Sequence, residues 1–210
     1  MGLISNGTTI FDNGSMASGF GGSLVFLAKQ SITSPVSSVE FVHGSGGVDF
    51  TSYKEYIFYF VNLHPNSNTE PDIAVNFSSD GGSNYNVTKT STSFYARHAE
   101  NNDFASILYL GSLDLAQSTS KQYIAPAIKP DNDGSLSGYM RLFNPSSTTF
   151  VKHYIINTSI MQNYPAAWQS FIAGYCNTTS AIDAVSFIGG YGLSVDDNID
   201  SGDILLFGVS

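Results

Sequence analysis

The chain predicts an all-β protein, a jelly-roll-like antiparallel β-sandwich, and three features of the sequence point there. The C-terminal thirty residues read as two apolar strands, around 181–188 and 202–209, joined by a polar, Gly-containing turn. A last strand running almost to the end of the chain, with no helix after it, belongs to a closed β-architecture. Second, Asp72-Ile73-Ala74-Val75-Asn76-Phe77-Ser78 alternates with period two, putting Ile73, Val75 and Phe77 on one face of a strand. Third, no window carries the 3.6-residue periodicity of a three-turn amphipathic helix; only 165–173 reads as one or two turns.

The remaining elements follow in chain order. Residues 1–22 are rich in Gly, Ser and Asn and end in Gly19-Phe20-Gly21-Gly22. With few periodic apolar positions they supply little core and predict an extended N-terminal arm, leaving 23–210 as one sandwich domain. Strand patterns occupy 23–30, the Val39 and Phe41 pair, 56–61, 72–78, 104–110, 136–143, 149–159, 168–175, 181–188 and 202–209. Segment 56–61, Tyr-Ile-Phe-Tyr-Phe-Val, is apolar on both faces. Such a strand is covered twice, by a second sheet within and by a loop or another subunit without. Turn chemistry separates the strands at His64-Pro65-Asn66, Asp80-Gly81-Gly82, Asp131-Asn132-Asp133-Gly134 and Asn144-Pro145-Ser146. The poorly patterned stretch 79–103 predicts a large loop.

Bulk composition bounds the function. The chain has 210 residues, 42% hydrophobic and 13% aromatic, enough for one full core. Only 12% are charged, about half the usual share, so the surface is neutral and polar. Seventeen acidic against eight basic residues give a net charge of −9, and no basic cluster exists to track phosphates, which argues against nucleic acid. No apolar run is long enough for a membrane helix. The first residues show neither a basic n-region nor an apolar h-region of a signal peptide. The single Cys176 excludes an internal disulfide and fits a reducing cytoplasm.

Reactive constellations are weak. Gly134-Ser135-Leu136-Ser137-Gly138 places Leu136 where a nucleophile elbow needs serine, and no helix follows it. His43, His64, His98 and His153 lack metal-ligand spacing. Asp131 to Gly134 lacks the distal Glu of a calcium loop, and the carboxylates at 196, 197, 200 and 203 mix turn and strand faces. Tyr side chains and Trp168 offer faces for sugar stacking, though tyrosine in strands more often packs. The residues therefore predict no enzyme, no cofactor and no metal site.

Phrases spread over nearly the whole length carry a resemblance. Met1-Gly2-Leu3-Ile4-Ser5-Asn6-Gly7-Thr8-Thr9, Tyr53-Lys54-Glu55-Tyr56-Ile57-Phe58, Asp80-Gly81-Gly82-Ser83-Asn84-Tyr85-Asn86 and Leu142-Phe143-Asn144-Pro145-Ser146-Ser147-Thr148-Thr149 are among them. Together they resemble a family of virion structural proteins of marine tailed bacteriophages, chiefly those of cyanobacteria. Segment 189–197 departs from it, being longer than the compact turn expected there. The resemblance implies a jelly-roll-like sandwich in the virion, assembled in the host cytoplasm. It also implies a non-enzymatic role, first as a capsid decoration (cement) protein bound to the major capsid protein or tail proteins. The alternative is a tail or fibre adhesin presenting loops 79–103 and 189–198 to a host glycan. A homo-oligomer is expected, a trimer being one order that fits. The expected partner contacts are Gly2, Leu3, Ile4, Phe11 and Phe20 of the arm, lying in grooves of neighbouring subunits, with Tyr56, Phe58 and Phe60 of the doubly apolar strand.

Overall fold

The computed structural model describes residues 24–66, 71–190 and 198–210, together with the backbone of three short strands near the N-terminus. Those three, β1 (Leu3–Ser5), β2 (Thr8–Asp12) and β3 (Ser15–Met16), pair antiparallel with one another as a small meander. The expected arm thus has a ladder of its own, in register Ser5 to Thr8 and Phe11 to Met16. Leu3, Ile4 and Phe11 lie on its strands, while Gly2 and Phe20 fall outside the described residues.

Twelve further strands build two antiparallel sheets. They are β4 (Leu24–Ile32), β5 (Ser38–Val42), β6 (Glu55–Asn66), β7 (Asp72–Ser78), β8 (Lys89–Ala99), β9 (Ala105–Tyr109), β10 (Gln122–Ala125), β11 (Leu136–Phe143), β12 (Lys152–Gln162), β13 (Ala166–Cys176), β14 (Ala184–Gly190) and β15 (Asn198–Val209). One sheet has four strands in the order β10-β7-β14-β5; the other has eight, β4-β15-β6-β11-β12-β13-β8-β9. The described residues contain no helix, and the all-β sandwich is as the sequence predicts. Its division into four and eight strands is less even than that of a simple eight-stranded jelly roll.

The alternating segments become strands because the period-two pattern gives each an apolar face for the opposite sheet. Phe41 of β5 and Phe187 of β14 meet Phe58 and Phe60 of β6 between the layers. Ring centroids lie 5.3 Å apart for Phe41–Phe58, 5.3 Å for Phe58–Phe187 and 5.1 Å for Phe60–Phe187, all edge to face. Burying such rings contributes about 2 kcal/mol each, and edge-to-face contact adds up to about 1 kcal/mol per pair. On the other side of the core, Phe77 of β7 packs on Tyr154 of β12 at 5.3 Å.

This packing corrects one expectation. Tyr56, Phe58 and Phe60 are 0%, 0% and 2% exposed and form the centre of the core, so they are not surfaces for a partner. Period two places the intervening Ile57, Tyr59 and Val61 on the other face, where among the described residues no second sheet lies over them; Ile57 is shielded by its in-plane neighbours, Tyr59 is half-buried and Val61 is exposed.

Two further segments differ from the sequence reading. The stretch 79–103, expected as a loop, contains the eleven-residue β8, paired along its whole length with β13 from Lys89↔Cys176 to Ala99↔Ala166. Its Thr, Ser and Lys side chains obscure the apolar alternation, although Ser93 and Tyr95 are buried as a strand's inner face requires. Residues 165–173, read as one or two helical turns, form the end of a turn and the first eight residues of β13. Pro165 ends the preceding turn, and the strand begins immediately after it. The four-residue β10 was too short to carry a pattern.

Candidate docking face

The two sheets are covered unequally. In the four-stranded sheet β7 and β14 bury almost every side chain, on both faces. The eight-stranded sheet has one face on the core and the other open to solvent. A row of side chains in register crosses that open face through all eight strands: Lys29, Leu205, Tyr59, Tyr139, Asn157, Phe171, Phe94 and Tyr109. Six of these eight are apolar or aromatic.

Neighbouring rows continue the character. Phe26, Phe207, Ile57, Arg141, Ile155 and Ala173 lie in register on one side. Phe26 and Phe207 meet at 5.6 Å, Tyr59 and Phe207 at 5.7 Å, and Tyr59 and Tyr139 at 6.4 Å. Phe94 and Phe171 stack nearly parallel, centroids 4.8 Å apart. Phe26 remains 56% exposed, Phe94 42% and Ile155 43%, so the rings contact one another without being covered.

Charge on this face is sparse and internally paired. Lys29 Nζ lies 2.9 Å from the Asp203 carboxylate, whose pKa is held below its ordinary value by the Ser31 hydroxyl and then by Lys29. Arg141 pairs with Glu55 and lies over the Phe143 ring, 5.4 Å from its centroid. Gln169 Nε2 donates to the Asn157 side-chain Oδ1 at 2.9 Å. Each ion therefore brings its counter-ion, which lowers the cost of desolvating the face against a partner.

Eight strands at about 4.8 Å spacing, over five or six residues of about 3.4 Å rise, give a face of roughly 700 Å². That is close to one partner's share of a standard protein interface, about 800 Å².

Three shallow hollows of about 510, 560 and 570 Å³ lie on or beside this face. They form where small side chains, Ser137, Ser159, Ala96, Ala167 and Ala173, sit between larger neighbours. The last is flanked by His153, Tyr175 and Phe143. The shape therefore combines flat aromatic ground with open grooves.

Other candidate groups are dispersed. His64 Nδ1 contacts Asp200 Oδ1 at 2.7 Å and its Nε2 the Asp131 carbonyl oxygen at 3.1 Å, tying β6 and β15 to the 129–134 turn. Lys129 holds Asp131 and Asp133 at 3.0 and 3.3 Å. His43 accepts from the Phe50 N–H, His98 contacts Asn102, and His153 packs on Tyr175. Among the described residues no three His, Cys, Asp or Glu side chains group as metal ligands. Ser137, in the segment resembling an elbow, donates to Asn62. Trp168 is stacked on Tyr95 at 3.8 Å and donates to Ser170, a core position and not a sugar platform. Of the proposed glycan loops, 79–103 contains β8 and 191–197 lies outside the described residues.

A polar knot, not anticipated from the sequence, sits inside one end of the sandwich. Lys152, Cys176 and Lys89 stand in register on adjacent strands, all fully buried. Lys89 donates to the Asn76 side chain and to the Val87 carbonyl at 2.8 Å, and Lys152 to the Thr178 carbonyl at 3.1 Å. Burial pulls the Lys89 amine down to about 8 and pushes the Cys176 thiol up to about 12. Such desolvation opposes the charged form of each group. The knot is sealed from solvent.

Fold and face define an antiparallel β-sandwich whose larger sheet presents an uncovered, apolar, charge-poor surface. No protein-family model, curated protein or solved structure matches the chain.

Proposed function

We propose that this chain is a non-enzymatic virion structural protein, a capsid decoration protein that attaches by laying the outer face of its eight-stranded sheet on other virion proteins. The observation that carries this reading is the in-register aromatic and apolar row running from Leu205 to Tyr109 across that face. A surface of this area and low charge loses little by desolvation and gains by burial. Modest contacts of this kind, repeated by the symmetry of a shell, add up to firm attachment. The virion setting comes from the resemblance of the sequence phrases; the face supplies a mode of attachment consistent with it.

The test is to incubate the purified chain, and a Tyr139→Asp/Phe171→Asp double variant, with shells that lack it. Both positions lie on the open face, so the variant is expected to fold normally and to fail to decorate. Equal decoration by the two proteins, or none by either, would remove the reading. A second reading, glycan adhesion, draws on the groove flanked by His153 and Tyr175, since aromatic-lined grooves stack sugar rings. Binding to a glycan array that His153→Ala/Tyr175→Ala abolishes would favour it.

A further inference from the structure

We propose that β9 is a self-association edge, on which β9 of a second copy pairs antiparallel across a two-fold axis centred on Ile107. The inference rests on the chain acting in multiple copies, and it specifies how two of them join.

β9 is the outermost strand of the eight-stranded sheet. Its backbone polarity is fixed by the two bonds that flank it: Ala99 N–H donates to the Phe104 carbonyl, and Leu110 N–H to the Ser93 carbonyl, each at 2.9 Å. In an antiparallel ladder, hydrogen-bonded and non-bonded pairs alternate. Residues 104, 106, 108 and 110 therefore direct their backbone groups to β8. Ala105, Ile107 and Tyr109 direct theirs away from it, toward solvent.

The side chains are open as well. Ile107 is 74% exposed, Tyr109 60% and Leu108 47%. The strand Ala-Ser-Ile-Leu-Tyr carries no charge and no proline. Proteins ordinarily protect exposed edges with lysine, proline, bulges or a covering segment. The other edges of the two main sheets follow that rule: β4 carries the exposed Lys29 and β5 the exposed Glu40, while in β10 Gln122, Ile124 and Ala125 are fully buried. Among the described strands of these sheets, β9 alone is both exposed and uncharged at its edge.

The sequence of β9 complements itself. A two-fold axis at Ile107 opposes Ile107 to its own copy, and Ala105 to the partner's Tyr109, on the outer face. Small meets large in the Ala–Tyr pairs, and the two Ile107 side chains meet as equals. The three residues with outward backbone groups fall opposite one another, so all three pairs are hydrogen-bonded pairs and six backbone bonds close. The Tyr109 hydroxyl is already engaged by Asp114, leaving its ring for packing. The joined sheets bring the two docking faces to the same side, doubling the surface offered to a partner.

The experiment measures mass by sedimentation equilibrium over roughly micromolar to hundred-micromolar protein, for the wild-type chain and two variants. Ile107→Lys opposes two like charges and is expected to weaken association by about 100-fold. Ile107→Pro removes an N–H that points away from β8, so the fold is retained while two of the six bonds are lost. Circular dichroism and urea unfolding confirm folding in each case. Opposed hydrogen-bonded residues have Cα atoms about 5.5 Å apart, within the disulfide range of about 4.4–6.8 Å. Ile107→Cys should therefore cross-link into dimers under mild oxidation, and Leu108→Cys should not. A wild-type monomer throughout, a trimer, or a dimer insensitive to both Ile107 substitutions would overturn the inference. Because association is read on the isolated chain, its failure is separable from failure to decorate shells.

Discussion

Replacing Lys89 by methionine should change the pH dependence of stability in a way that the buried knot dictates. The side chain is fully buried, and desolvation lowers its pKa from an ordinary 10.5 to about 8. Below pH 8 the amine is protonated in both states, and folding bears a penalty of about 3 kcal/mol for the buried charge. Between 8 and 10.5 the unfolded chain holds a proton that the folded chain has released, so stability rises with pH. Cys176 acts oppositely: its folded pKa, about 12, lies above the ordinary 9. The unfolded thiol ionises first, and stability falls as pH rises from 9 toward 12. Together they give a rise of roughly 1 kcal/mol between pH 7 and 9, flattening by pH 10. In Lys89→Met most of the rise disappears, leaving the Cys176 decline partly offset by Lys152, whose pKa burial also lowers. Loss of the donor to Asn76 and Val87 shifts the whole curve but not its slope. Urea unfolding followed by the fluorescence of Trp168, at pH 7, 8 and 9, reads both proteins. Parallel pH profiles for wild type and variant would refute the argument.

Four further substitutions test the packing. A Cβ at Gly174 would lie 2.4 Å from the Tyr154 hydroxyl oxygen and 2.5 Å from its Cζ, so Gly174→Val should cost about 2 kcal/mol or more by thermal unfolding. Phe58→Ala empties the centre of the core and should cost about 3–5 kcal/mol. Phe26→Ser, on the open face, should cost about 1 kcal/mol or less; similar losses for the two would mean that the assignment of faces is wrong. His64→Ala removes the contacts to Asp200 and to the Asp131 carbonyl, and should cost about 1–2 kcal/mol by urea unfolding.

Much of this architecture is legible in the chain. β7 and β11 have the bounds that the sequence pattern gives them, 72–78 and 136–143, because period-two alternation identifies the strand, although β7 buries its polar face as well as its apolar one. β8 was illegible for a converse reason: its outer Thr90 and Thr92 and its inner Ser91 and Ser93 leave no contrast between faces. The docking face was half visible. The doubly apolar 56–61 signals a strand with two demands for cover, but period two alone cannot tell which set of side chains faces the core. Only the neighbours of β6 decide it, since Phe58 and Phe60 meet Phe187 of the opposite sheet and Tyr59 meets Phe207 and Tyr139 of its own. The row that joins Leu205 to Tyr109 draws on seven strands far apart in sequence, so no local pattern reveals it. The knot of Lys89, Cys176 and Lys152 likewise exists only through the β12–β13–β8 register.

A photo-reactive side chain at position 139, in the middle of the uncovered sheet face, puts the proposed attachment to trial inside assembled particles. Irradiating purified virions should join this chain to a different virion protein from position 139, and not from a control at Glu40, an exposed position on β5 at the edge of the four-stranded sheet. Particles that lack the chain, or cross-links formed at Glu40 with none at 139, would contradict attachment through this face.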